Sequence, residues 1–133
     1  MKVIETLCDP IRLIAKPGVE FEPGMVVKLS ELKDGTPVCD IGDEKCSIGI
    51  SDSLCLARKK VSYKKENMVR VWTSRMIFRT TRYDTSSKFK PGGPVYVLNG
   101  YLTATRPFED APYVGRVTKV PEAAGEQLEC LWL

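Results

Sequence analysis

The sequence predicts an all-β protein, an antiparallel β-barrel or sandwich of about eight to ten short strands built on a duplicated unit. Three observations carry that prediction. β-branched and aromatic runs recur at spacings of about 8–12 residues, punctuated by Gly, Pro, Asn and Asp. No 3.6-residue apolar period persists; only 54–65 has room for a helical turn, and Val61-Ser62-Tyr63 weakens it. Finally, one pattern occurs twice. Phe21-Glu22-Pro23-Gly24 leads into Met25-Val26-Val27-Lys28-Leu29, and Phe89-Lys90-Pro91-Gly92-Gly93-Pro94 leads into Val95-Tyr96-Val97-Leu98. Each copy then meets a glycine between β-formers, in Ser47-Ile48-Gly49-Ile50-Ser51 and in Tyr113-Val114-Gly115-Arg116-Val117. Phe89 follows Phe21 by 68 residues and Gly115 follows Gly49 by 66. The chain therefore reads as one β domain, 1–133, with half-repeats 21–51 and 89–118 and a basic insertion at 58–90.

Each element has a local reason. Residues 1–9 read as a lead-in, and 11–16, bounded by Pro10 and Pro17-Gly18, as the first strand, with a single helical turn as the alternative. Pro presets φ for the first central position of a turn and Gly supplies φ > 0 at the second, so Pro23-Gly24 and Pro91-Gly92 are type II turns that launch strands 25–29 and 95–98. Lys33-Asp34-Gly35 turns the first of these into strand 37–41; Asn99-Gly100 is a type I′ signal turning the second into strand 101–105. Gly42-Asp43-Glu44 leads to strand 46–51. The run 69–83, dense in β-branched and aromatic residues, suits one long strand or a bent pair. A polar loop ending in Asp84-Thr85-Ser86-Ser87 follows it. Strand 113–120 and a closing strand 127–133, ending Cys130-Leu131-Trp132-Leu133, complete the chain; so apolar an end belongs in a core or packed on another subunit.

Composition narrows the chemistry. A chain of 133 residues can bury roughly two-thirds of the surface its unfolded form exposes. No stretch approaches the ~20 apolar residues of a membrane span, and Asp9-Pro10 cuts the opening apolar residues short of a signal peptide, so a soluble protein made in the cytosol is expected. Five cysteines at wide spacings, without a Cys-x-x-Cys pair, read as free buried thiols rather than a zinc knuckle or disulfide framework. The acids Glu31, Asp34, Asp40, Asp43, Glu44 and Asp52 read as solvated turns, with no EF-hand spacing. Histidine is absent, which removes the commonest general base and every Ser-His or Cys-His device. No phosphate loop, dinucleotide fingerprint or nucleophile elbow is present, so neither catalysis nor a cofactor is expected.

Charge is segregated. Between Arg58 and Lys90 eleven Lys or Arg stand against two acids, while the whole chain carries only +3. Arg70, Trp72, Arg75, Phe78, Arg79 and Arg82 interleave cations with aromatics, a pattern that suits an anchor on an acidic protein surface or a single-stranded nucleic-acid groove, and equally an ordinary solvated face. The modest total favours the protein partner, because dedicated nucleic-acid binders carry their surplus over the whole domain.

The repeated Pro-Gly strands, with Tyr113-Val114-Gly115-Arg116-Val117 and the closing Gly125-Glu126-Gln127-Leu128-Glu129-Cys130-Leu131-Trp132-Leu133, resemble the small capsid decoration or cement proteins of tailed bacteriophages. The resemblance spans 21–51 and 89–133. It implies a non-enzymatic virion protein, made in the host cytoplasm, that binds the major capsid protein lattice on the outside of the expanded head as a dimer or trimer. Arg70, Trp72, Arg75, Phe78, Arg79 and Arg82 are then the expected capsid contacts. A single-stranded nucleic-acid-binding β-barrel and a tail or baseplate β-module remain the alternatives.

Overall fold

The computed structural model describes residues 2–6, 9–52, 68–73 and 75–133. Among them there is no helix, and eleven strands form two antiparallel sheets, consistent with a sandwich; neither sheet closes into a barrel. The strands are β1 (Lys2–Thr6), β2 (Ile11–Ile14), β3 (Val26–Glu31), β4 (Pro37–Ile41), β5 (Gly49–Ser51), β6 (Met68–Trp72), β7 (Met76–Thr80), β8 (Pro94–Leu98), β9 (Tyr101–Thr103), β10 (Gly115–Lys119) and β11 (Leu128–Trp132). One sheet has the order β2-β6-β5-β3-β4 and the other β1-β7-β11-β10-β8-β9.

Without β1, the two orders are the same, and the likeness reaches single hydrogen bonds. Gly24 N–H donates to the Ser51 carbonyl and Gly92 N–H to the Val117 carbonyl, both at 2.7 Å. Ser51 N–H returns to Met25 O and Val117 N–H to Gly93 O, both at 2.9 Å. Val27 lies opposite Gly49 as Val95 lies opposite Gly115. In each sheet one parallel bridge ties the chain just beyond β2 or β7 to the last strand, Ala15 to Cys39 and Tyr83 to Leu102.

The turns explain this recurrence. Gly24 and Gly92 take φ of 91° and 74°, and the turns close by Met25 N–H to Glu22 O (3.3 Å) and Gly93 N–H to Lys90 O (2.9 Å). Asn99 and Gly100 both have positive φ, as a type I′ hairpin between β8 and β9 requires. The tip of that hairpin also joins the sheets, since Gly100 accepts from Val26 N–H (3.1 Å) and donates to Gly42 O (2.7 Å).

Alternation builds two cores. Val27, Val69 and Val71 point from the five-stranded sheet into a smaller cluster with Ala15, Phe21 and Cys39. Val26 and Ile50 point the other way, joining Phe78, Val95, Leu102, Cys130 and Trp132 in the larger one. β3 is thus covered on both faces, with Val26 and Val27 both at 0% exposure.

Two expectations need correction or refinement. The lead-in holds a strand, because Lys2–Thr6 finds its partner in β7, far along the sequence, where no local pattern reveals it. The 69–83 run is two strands in different sheets, β6 and β7, not one surface. The expected helical turn at 54–65 and the first part of the basic insertion lie outside the described residues. Strand β11 sits between β7 and β10, a core position for the apolar C-terminus.

Candidate functional site

The period of two decides what the six-stranded sheet presents outward. On β7, Met76, Phe78 and Thr80 are buried, which turns Ile77 and Arg79 out. On β11, burial of Leu128, Cys130 and Trp132 leaves Glu129 and Leu131 on the outer face. On β10, Gly115 and Val117 are buried and Arg116 is exposed.

Register assembles these side chains into two rows. In the polar row Arg79 lies opposite Glu129, with Nε to Oε2 at 2.9 Å, and Thr118 Oγ1 donates to Glu129 Oε1 at 2.9 Å. In the apolar row Ile77 lies opposite Leu131, Leu131 opposite Arg116, and Arg116 opposite Pro94. Leu133, half exposed, extends this row by donating its N–H to Val114 O at 3.0 Å. The Arg116 guanidinium stands 5.0 Å over the Tyr113 ring and donates to Gly92 O at 3.0 Å. Arg75 is exposed at the start of β7, and Ile4 is exposed at the β1 bulge.

The face therefore combines an apolar band with arginines at its margins. Its described carboxylate, Glu129, is held below the usual range chiefly by the Arg79 hydrogen bond, with Thr118 helping and partial burial opposing. Behind it, burial and the Glu129 charge push the Cys130 thiol up to about 12, so that sulfur is inert at neutral pH. Chemically the face can bind, through apolar contact and charge-assisted hydrogen bonds from arginine.

The residues expected at one contact surface are dispersed. Arg75 and Arg79 belong to the face just described. Arg70 and Trp72 are on β6 in the other sheet, where Arg70 Nε and Trp72 Nε1 each donate to Asp52 at 2.6 Å and the indole packs on the larger core. Arg82 pairs with Glu22 beside the Pro23-Gly24 turn. Phe78 is corrected outright: it is 0% exposed, stacked edge-on to Trp132 at 6.5 Å, and can touch no partner. Arg116, Leu131 and Leu133 complete the face and were missed. Alternation in 128–132 gives their orientation, but only the pairing of β11 with β7 puts them beside Arg79.

The acids of the first half also have definite roles. Asp40 pairs with Lys16 at 3.2 Å and Asp43 with Lys28 at 2.6 Å, while Asp34 accepts from Thr36 N–H at 3.0 Å to close the turn. Cys130 is a buried free thiol as expected and Cys39 is buried too, but Cys46 is exposed. Two open depressions of about 350 and 380 Å³ flank the loop 121–127, the first lined by Arg79, Lys119, Glu122, Glu126 and Glu129. The chain matches no family model, no curated protein and no solved structure.

Proposed function

We propose that this protein is a non-enzymatic assembly module that attaches to a protein surface through the outer face of its six-stranded sheet. More particularly, it acts as a capsid decoration or cement protein, binding the major capsid protein lattice and stabilising the mature head of a tailed bacteriophage. The observation that carries the first step is the Ile77–Leu131–Leu133 band with Arg75, Arg79 and Arg116 at its margins. Ile77 and Leu131 are partly exposed and Leu133 half exposed, and apolar side chains that reach the surface beside arginine anchors are the composition of a protein contact, whose charge selects an acidic partner. The scatter of Arg70, Arg79 and Arg82 over two sheets and the seam between them supports a protein partner over a single-stranded nucleic acid, which needs its cations along one groove.

The second step rests on the resemblance of the Pro-Gly and Val-Gly strands. A ligand that binds only the expanded lattice stabilises it by mass action, and the many copies on a head add their effects. The test is cosedimentation with expanded and unexpanded heads of the parental virus over a salt series. Saturable binding to expanded heads that persists at moderate salt is expected, and the double variant Arg75→Glu/Arg79→Gln loses it while still unfolding in one cooperative transition. Absence of binding to heads, with uptake of single-stranded nucleic acid that falls log-linearly with salt, overturns the reading.

A further inference from the structure

The two sheets differ at one edge. β1 adds antiparallel to the outer edge of β7, with Val3 opposite Phe78 and, past the bulge, Glu5 opposite Ile77. The strand in the same topological place in the other sheet is β2. It pairs with β6 on one side, and no strand among the described residues pairs with its other side along Ile11–Ile14. Among the described residues only its end is tied down, where Ala15 bridges to Cys39 and Lys16 N–H donates to Cys39 O at 2.8 Å. Ile11 is 42% exposed, and Leu13, above the smaller core, is only partly covered. An uncovered edge presents a row of N–H and C=O groups, the template for strand addition.

Charge determines what can add. Arg12 lies directly opposite Arg70. The neighbouring carboxylate, Asp52, is already engaged by Arg70 and Trp72. Like charges facing each other across a ladder destabilise it, so a carboxylate arriving on the open side of Arg12 is favoured. A second copy of β2 cannot supply one. Residues directly opposite in an antiparallel pair share a face, so Arg12 would meet Pro10, Arg12 or Ile14 of that copy.

We propose that the outer edge of β2 accepts an extended segment of a partner protein, paired antiparallel, with an acidic side chain opposite Arg12 and an apolar one opposite Leu13. β1 displays the fitting pattern within this chain. Slid two residues from the register it keeps on β7, in which Lys2 would face Arg12, and keeping its bulge, it sets Val3 opposite Leu13 and Glu5 opposite Arg12. This goes beyond the lattice-binding reading, since it concerns a different edge of the molecule and needs no capsid to test.

The probe is a synthetic peptide of residues 1–8 with Cys8→Ser, added to the full-length protein while amide exchange is followed by NMR. In the free protein, the β2 amides that point away from β6 exchange faster than those of β6. The peptide slows them, and its Glu5→Lys form binds about fivefold more weakly, with that preference reversed by Arg12→Glu in the protein. Arg12 is exposed, and Arg12→Gln gives a second variant if the reversal disturbs folding. The proposal is overturned if the β2 amides of the free protein are already as protected as those of β6. It is equally overturned if the peptide leaves them unchanged or acts only on β7.

Discussion

The five-stranded sheet and the last five strands of its neighbour share one wiring but fill it with different side chains. Strand order, the two Pro-Gly turns, the Gly49 and Gly115 positions and the hydrogen bonds around them recur. The cores do not. Where the first sheet has Ala15 at the closing bridge, the second has Tyr83; where the first has Cys39, the second has Leu102. Phe21 fills the centre of the smaller cluster at 0% exposure, whereas Phe89 stands at the rim with its ring 5.5 Å from Tyr83. A large residue at one matched position is balanced by a smaller or displaced one at another. Turns and alternation fix the topology, and the core tolerates exchange of identity while volume is kept.

The largest effects come from the matched glycines. A Cβ on Gly49 would lie 2.1 Å from the Trp72 carbonyl oxygen, and one on Gly115 would lie 2.2 Å from that of Leu131, both backbone atoms with little room to move. Gly49→Val and Gly115→Val each cost about 3 kcal/mol or more, read from denaturant midpoints, and a harmless change at either site breaks the equivalence. The matched phenylalanines separate the cores. Phe21→Ala costs about 3–5 kcal/mol and Phe89→Ala at most about half of that; the reverse order contradicts the placing of Phe21 inside its cluster and Phe89 at the rim of the other.

Smaller effects follow from charge and thiol chemistry. Asp43 in the first unit and Glu129 in the second are both held below their ordinary pKa, the first chiefly by Lys28 and the second chiefly by Arg79. A carboxylate depressed in the folded state contributes stability above its unfolded pKa and loses it as pH falls through the folded value. Glu129→Gln therefore flattens the decline of the thermal midpoint on acidification below about pH 4.5, where wild type keeps losing stability. A variant that declines as steeply as wild type sinks this linkage. Alkylation at pH 8 followed by peptide mapping labels Cys46 well before Cys39 or Cys130, and early labelling of Cys130 would contradict its burial.

What was legible in the sequence was local. Pro-Gly, Lys33-Asp34-Gly35 and Asn99-Gly100 each carry their turn geometry in two or three residues, so β3, β4, β8 and β9 were placed close to their true bounds. The recurrence at 21–51 and 89–118 marked the shared wiring. Pairing between distant strands has no such signature. β1 joins β7, and β7 joins β11, across spans where any apolar alternation fits. The site suffered for the same reason. Arg70 and Arg79 are near in sequence but on different sheets, while Arg79 and Leu131 are far apart in sequence and on one face.

The most direct measurement is hydroxyl-radical footprinting of the protein free and bound to expanded heads. Tyr113, Leu131 and Leu133 on the six-stranded face become protected on binding, while Leu29 on the five-stranded sheet, half exposed, stays reactive. Protection of Leu29 with Tyr113 and Leu133 unchanged would place the contact on the other sheet and contradict the account.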